Sequence, residues 1–308
     1  LQYLNENYWH ATVELNAKTA LSGINYHYFL KNDDGEIISE WGNDRLLSAG
    51  PKDTAEIVVT DTWNHAGEFE NAFFTAPFSE VLLKSAHTKG KADADKPYTH
   101  IFRIKSPLLQ KHEVMALAGS GVKLRDWSDT NPLLMERKGN WWEIKLDLSG
   151  EHFPVAYKYA VWNLKEERFL RFEDGDNRLL TPEPGVNRIS IQHDGFAHLP
   201  NDTWKGAGVA IPVFSLRSKS SFGVGEFNDI KLLVDWSKHT GLKLIQLLPV
   251  NDTTATNTWL DSYPYAAISA FALHPLFINL SKVAGKEYAS QLRKKKKKQK
   301  QLNELSVV

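Results

Sequence analysis

The sequence predicts a multidomain chain, with two all-β sandwich modules followed by the opening of an α/β fold. Three observations predict it. An aromatic-rich pattern occurs twice, 131 residues apart at a Tyr pair and 133 at an Arg, which marks an internal repeat. Both copies are built of short runs alternating between apolar and polar residues, separated by polar turns, as sandwich strands are. After about Trp204 the pattern becomes strand, helix, strand, the signature of a βαβ unit.

The first copy contains Tyr8-Trp9-His10-Ala11-Thr12-Val13-Glu14-Leu15, then Tyr26-His27-Tyr28, then Glu40-Trp41-Gly42-Asn43-Asp44-Arg45. The second contains Trp141-Trp142-Glu143-Ile144-Lys145-Leu146, then Tyr157-Lys158-Tyr159, then Phe172-Glu173-Asp174-Gly175-Asp176-Asn177-Arg178. Strands are expected at Thr12–Leu15, Ile101–Ile104, Val114–Leu117 and Ile144–Leu148. Turns are expected at Asp33-Asp34-Gly35 and Gly175-Asp176-Asn177. The modules occupy residues 1–90 and 98–196, with Lys89–Lys96 as the connecting loop or linker. The chain starts at Leu1 inside a strand pattern and stops without closing one, so it reads as a fragment. The first copy then lacks counterparts of residues 101–127.

The third segment, 204–308, begins with the apolar run Val209–Phe214. Phe227, Ile230, Leu233, Val234 and Trp236 predict one helix face, and Gly241 predicts its stop. Leu242–Pro249 is nearly continuously apolar, as expected for a strand buried on both faces. Such a unit opens either a doubly wound sheet or a barrel. Phe222-Gly223-Val224-Gly225 follows the first strand, but Asn228 stands where a phosphate-binding loop has its third glycine. A tight turn with backbone packed on backbone is the better reading.

Composition narrows the partner. The 308 residues contain 37 Lys plus Arg and 37 Asp plus Glu, so the chain exerts no long-range pull on nucleic acid or anionic lipid. A neutral polymer such as a polysaccharide fits better. Ten Trp and ten Tyr supply flat rings for flat sugar faces. There is no Cys, which excludes disulfides, thiolate metal sites and a Cys nucleophile and suits the cytoplasm. No run approaches the roughly 18–20 apolar residues of a membrane helix. The basic run Arg293–Lys300 reads as a solvated helix or flexible end, and no aromatic is interleaved with it as single-strand binding would require. No metal or cofactor is expected.

Candidate contact residues follow from position. Trp127 lies in a turn between strands, a poor place for a core residue and a good one for a stacking plate. Phe172 begins the turn that ends at Arg178, and Trp41 is expected to hold its place in the first copy. Lys158 alternates with Tyr157 and Tyr159 and so points to the opposite face. Trp141, Trp142, Tyr157 and Tyr159 are expected in the core.

The second copy resembles a starch-binding module of the family 20 carbohydrate-binding type over residues 98–196. The match rests on a Leu-x-x-Trp turn, a Trp-rich strand, a Tyr-Lys-Tyr strand and an aromatic-Glu-x-x-x-Asn-Arg turn. The resemblance implies an immunoglobulin-like sandwich whose principal glucan site uses Trp127, Phe172, Lys158, Glu173 and Asn177. It implies no second site, because Glu143 and His10 stand where the family has a Tyr. In the first copy it offers Trp41, with His27 in place of the Lys and a shorter turn.

Residues 204–308 resemble the start of the family 77 α-glucanotransferases. The matching runs are Gly208–Arg217, Phe222–Phe227, Leu247–Thr254 and Ser262–Leu276, including Pro264-Tyr265 and Ser269-Ala270-Phe271-Ala272. This implies the opening of a (β/α)₈ TIM-type barrel, with Asn251, Asp252, Tyr265 and Ser269 at the glucan cleft. It also implies 4-α-glucanotransferase chemistry on starch, glycogen and maltooligosaccharides, by a retaining mechanism that needs two carboxyl groups about 5–5.5 Å apart. In the family these follow later strands, so no catalytic residue is expected within the chain and Asp252 and Asp261 are given no such role. The alternatives are a non-catalytic starch- or glycogen-binding protein and another α-glucan-active barrel enzyme.

Overall fold

The computed structural model describes residues 1–15, 23–43, 45–47, 50, 53–83, 97–200, 203–284 and 288–305. The linker expected at Lys89–Lys96 lies outside them. The chain forms two units, Leu1–Thr203 and Trp204–Val308.

In the first unit the second copy is a sandwich of two sheets. Its strands are β8 (His100–Lys105), β9 (Glu113–Gly119), β10 (Leu133–Leu134), β11 (Glu136–Lys138), β12 (Trp141–Leu146), β13 (Val155–Asn163), β14 (Arg168–Phe172), β15 (Arg178–Leu180) and β16 (Arg188–Phe196). One sheet runs β10-β9-β13-β14, with β15 also paired to β13. The core between the sheets holds Phe102, Ile104, Met115, Leu117, Trp142, Ile144, Tyr157, Tyr159 and Val161. Each large apolar side chain removed from water this way contributes about 1.5–3 kcal/mol. Trp141, Trp142, Tyr157 and Tyr159 are all buried, as their strand positions predict.

The first copy departs from expectation. Its elements are β1 (Gln2–Asn5), β2 (Tyr8–His10), β3 (Ile24–Asn25), β4 (Phe29–Lys31), β5 (Ile37–Ser39), β6 (Leu46–Leu47) and β7 (Glu56–Asp61). β1-β2, β3-β6 and β4-β5 are separate two-stranded ladders, whereas β7 leaves them for the second sheet of the sandwich, ordered β11-β12-β8-β16-β7. The described residues therefore contain one sandwich extended by a strand of the first copy, in place of two sandwiches. β7 pairs in parallel with β16, Ile57 opposite Ile189 and Val59 opposite Ile191. Ile57 and Val59 pack on Ile101, Ile189 and Ile191, so apolar burial and the capping of an open sheet edge act together. The strand expected at Thr12–Leu15 is absent and those residues are exposed. Alternation favours a strand only where a neighbour can take up its N–H and C=O groups.

His193 ties the two copies together: its Nδ1 meets Asp61 Oδ1, and its Nε2 accepts from Arg103 Nη1 at 2.9 Å. Arg103 in turn donates to the buried Glu143 at 2.7 Å.

The second unit opens with β17 (Gly208–Ile211), α1 (Asp229–Thr240) and β18 (Leu244–Leu247). β17 and β18 pair in parallel, Gly208 opposite Leu244, so strand, helix and strand form one βαβ unit. Gly241 closes α1 at φ 78°, and the Leu242 N–H returns to Ser237 O, a C-terminal cap that needs the left-handed conformation. β18 is not buried on both faces as expected, for Leu244 is 48% exposed and β17 is its one partner among the described residues. These residues form no closed barrel. A Cβ on Gly225 would lie 1.9 Å from Val213 O and 2.7 Å from Leu216 N, so the Gly-x-Gly turn is a backbone-on-backbone contact. The basic run falls on α3 (Ala289–Lys294) and α4 (Lys296–Glu304), which follow the short α2 (Leu280–Val283).

Candidate functional site

β13 sets the site by alternation. Tyr157 and Tyr159 are buried, and Lys158 between them faces outward. Its Nζ donates to Gly175 O at 2.7 Å, which fastens the turn after Phe172. Tyr157 stands opposite Gly119 of β9 and opposite Arg178 of β15. The turn that carries Trp127 follows β9 on one side of β13, and the turn 173–177 joins β14 to β15 on its other side, beside residues 158–159.

Trp127 ends the 3₁₀ turn Val122–Trp127. Arg125, Asp126 and Trp127 all have positive φ, 64°, 45° and 58°. Three consecutive non-glycine residues in that region are strained backbone, which folds keep mostly where function needs it. The turn is held by Asp126 N to Gly121 O and Ser128 N to Arg125 O. It leaves the Trp127 side chain 37% exposed, the same fraction as Phe172. Phe172 rests on Phe169 with ring centroids 5.0 Å apart. Asn177 is exposed at the far end of its turn.

Glu173 does not join them as a free ligand. It is 5% exposed and accepts from Arg178 Nη2 at 2.7 Å, Arg178 Nε at 3.0 Å and Tyr159 N at 3.2 Å. Below it, Asp194 Oδ2 accepts from the Tyr157 and Tyr159 hydroxyls at 2.9 and 2.7 Å. Burial, then the Asp194 charge and its hydrogen bonds, push both phenols far above their ordinary value, so they stay neutral donors.

The same cluster exists in the first copy. Glu40 accepts from Arg45 Nε and Nη2, both at 2.8 Å, and from Tyr28 N at 3.1 Å. Asp61 Oδ2 accepts from the Tyr26 and Tyr28 hydroxyls, both at 2.9 Å. The two tyrosine pairs are edge-on at 84° and 86°. This match corrects the expectation for Trp41. Glu40 corresponds to Glu173 and Arg45 to Arg178, so Ser39 stands in the place of Phe172 and Trp41 in that of Asp174. The two turns have equal length. Trp41 N donates to Asn64 O and Asp174 N to His198 O. Sequence reasoning missed Asp61 and Asp194, although each follows its repeat's Arg by sixteen residues.

In the second unit Asn251 and Asp252 follow β18. Asn251 Nδ2 donates to Ala270 O at 2.9 Å, while Asp252 exchanges backbone bonds with Ile268 and Ala272. Ser269 Oγ accepts from Phe271 N and Ala272 N, both at 3.2 Å. Backbone pairing thus brings Asn251, Asp252 and Ser269 together. Tyr265 is 60% exposed, beside Tyr263 with centroids 5.7 Å apart. The Thr254 N–H holds the Asp252 carboxyl below its ordinary value. Among the described residues no group of three His, Asp or Glu could hold a metal, and no helix is long and apolar enough to cross a membrane.

Comparison with known proteins adds four findings. Residues 211–307 match the model of glycoside hydrolase family 77, described as 4-alpha-glucanotransferase. The 4-alpha-glucanotransferase DPE2 of Oryza sativa subsp. japonica is 34% identical over 273 residues, 83% of this chain and 28% of the rice protein. A 4-alpha-glucanotransferase of Chlamydia pneumoniae is 41% identical over 88 residues, 29% of this chain and 16% of its own. The chain therefore spans less than a third of these relatives. A family 20 carbohydrate-binding module of the maltotetraose-forming amylase from Pseudomonas saccharophila STB07 aligns over 30% of this chain and 97% of its own, at 17% identity and a TM-score of 0.26. That score is too low to carry an argument.

Proposed function

We propose that the chain, whose residues 211–307 match the 4-alpha-glucanotransferase family model, is part of an enzyme that moves α-1,4-glucan segments between maltooligosaccharides, glycogen or starch. The sandwich holds the glucan, and the second unit contributes Asn251, Asp252, Tyr265 and Ser269 to the cleft where the chain is cut and rejoined. Retaining transfer requires a carboxylate that attacks the anomeric carbon and a carboxyl group that protonates the departing oxygen, then deprotonates the incoming hydroxyl. No residue of this chain is assigned either role. The absence of cysteine suits a cytoplasmic enzyme.

One observation carries the binding half of this reading: the equally half-exposed Trp127 and Phe172, on turns that follow β9 and β14, the two strands flanking β13. Two rigid rings can take the apolar faces of successive glucose units at little entropic cost. Lys158 and Asn177 supply donors at the hydroxyl edge. Glu173 acts one step back, by holding Arg178 and the turn that presents Phe172. The test has two arms. The full-length protein incubated with maltotriose should give both shorter and longer oligomers. This chain titrated with maltoheptaose should bind saturably. A full-length enzyme that released only glucose and maltose would replace transfer with hydrolysis.

A further inference from the structure

An unexplained feature of the first unit is a crevice between the two repeats. It encloses about 590 Å³, open mouth included. One wall comes from the first copy and carries Trp41, Trp63, Asn64 and Glu68, while the other comes from the second copy and carries Lys105 and Trp141. Neither repeat forms it alone. β7 on the edge of β16 brings the walls together, and Trp63 and Asn64 follow β7 directly.

The lining is suited to a neutral ring that has a flat apolar face and a polar rim. Trp41 and Trp63 are half-buried, as is usual for rings that are partly packed and partly offered to a ligand. Two of the charges inside are matched, while the Glu68 carboxylate is exposed. Arg45 holds Glu40 at 2.8 Å, and the Lys105 ammonium lies 4.5 Å above the Trp141 ring. An anion would meet the Glu68 carboxylate and a cation the Lys105 ammonium, whereas a neutral ring meets neither penalty. Asn64 holds the wall that carries Trp41 in place. Its Nδ2 donates to Trp41 O at 3.0 Å and Asn71 Oδ1 at 3.1 Å, which fixes the amide. Its Oδ1 is buried with no hydrogen-bond partner among the described residues.

We propose that this crevice is a second saccharide site, taking one or two glucosyl units of the same α-glucan that Trp127 and Phe172 hold. It rests on the glucan reading above but uses different residues and exists only because the repeats pack together. Trp41 then binds sugar as part of a composite site and not as the counterpart of Phe172.

The test uses the full chain labelled with 5-fluorotryptophan, titrated with maltotriose and followed by fluorine NMR. Trp41→Phe, Trp63→Phe and Trp127→Phe assign the three resonances. In the Trp127→Ala/Phe172→Ala background, the Trp41 and Trp63 resonances should still shift saturably. Adding Trp63→Ala should weaken the Trp41 response at least tenfold while the spectrum without sugar keeps its native dispersion. If Trp127 responds in the parent protein but Trp41 and Trp63 stay unmoved in the double variant, the crevice proposal is overturned and the first site stands. If no Trp responds in the parent protein, the glucan-binding reading itself falls.

Discussion

Glu173 and Arg178 form a two-pronged ion pair, Nη2 to Oε1 at 2.7 Å and Nε to Oε2 at 3.0 Å, and Glu40 and Arg45 repeat it in the first copy. In both places the Glu also accepts the N–H of the second Tyr of the pair. The pair therefore anchors its turn to the central strand. Glu173→Gln leaves Arg178 with one weak prong and a charge only partly met by Asp194 at 3.6 Å. Removing one partner of a buried pair is strongly destabilising. The expected loss is up to ~3 kcal/mol, read as a lower urea midpoint. A variant of native stability with lost glucan affinity would return Glu173 to the role of direct ligand.

The repeat shows what a sequence makes legible. Tyr26, Tyr28 and Arg45 against Tyr157, Tyr159 and Arg178 are visible as letters, because a buried polar cluster tolerates few replacements. The strands of the second copy are legible for a related reason. Each has a partner on both sides or a core to face, so its period-two pattern has a physical consequence. Thr12–Leu15 has the same pattern but no partner edge among the described residues, and it forms no strand. Trp41 was misplaced because aromatic identity was used to align the turns, whereas the Glu–Arg spacing sets the register. The crevice was invisible because its walls meet only when β7 joins β16, a long-range pairing that no local pattern announces.

Gly225 tests the second unit. A methyl group there would collide with two backbone atoms, Val213 O and Leu216 N, neither of which has a rotamer to move. Gly225→Ala should expose residues 204–308 to limited proteolysis at concentrations that leave the parent intact. Gly139→Ala is the control. Its φ is 60° and nothing lies within 4 Å of the added Cβ, so only the left-handed penalty of about 1–2 kcal/mol applies. Equal sensitivity of the two variants would remove close backbone packing as the reason for Gly225.

Asp61 gives the join between the repeats a pH dependence. Burial alone would raise its carboxyl, but the hydrogen bond and charge of His193, the charge of Arg45 and the Tyr28 hydroxyl outweigh it and hold the value below ordinary. A carboxyl that is more acidic folded than unfolded contributes stability that is complete above the unfolded value, about 3.9, and is lost as pH falls through the lower folded value. Melting temperature should therefore drop between about pH 4 and the folded value in the parent protein. Asp61→Asn should be less stable at pH 7 and lose less on acidification over that window. Parallel acid curves for the two proteins would show that Asp61 does not carry the dependence.

Trp127 and Phe172 predict opposite responses to size. Both are exposed to the same fraction, and neither belongs to the buried core. Trp127→Ala takes away a stacking plate, and aromatic stacking on flat rings is worth about 1–3 kcal/mol per contact. The variant should show correspondingly weaker retention on immobilised amylose with an unchanged urea midpoint. Phe172 is the smaller plate. Phe172→Trp enlarges it without entering the core, since the ring leans on Phe169 from outside, and should tighten binding. The strained φ values of Arg125, Asp126 and Trp127 add a further constraint. If that turn exists to aim the indole, Asp126→Gly should relax the backbone, raise stability slightly and weaken retention, because a turn free to reorient no longer presents the ring in one direction. A Gly variant that gained stability and kept full retention would separate the strain from the binding.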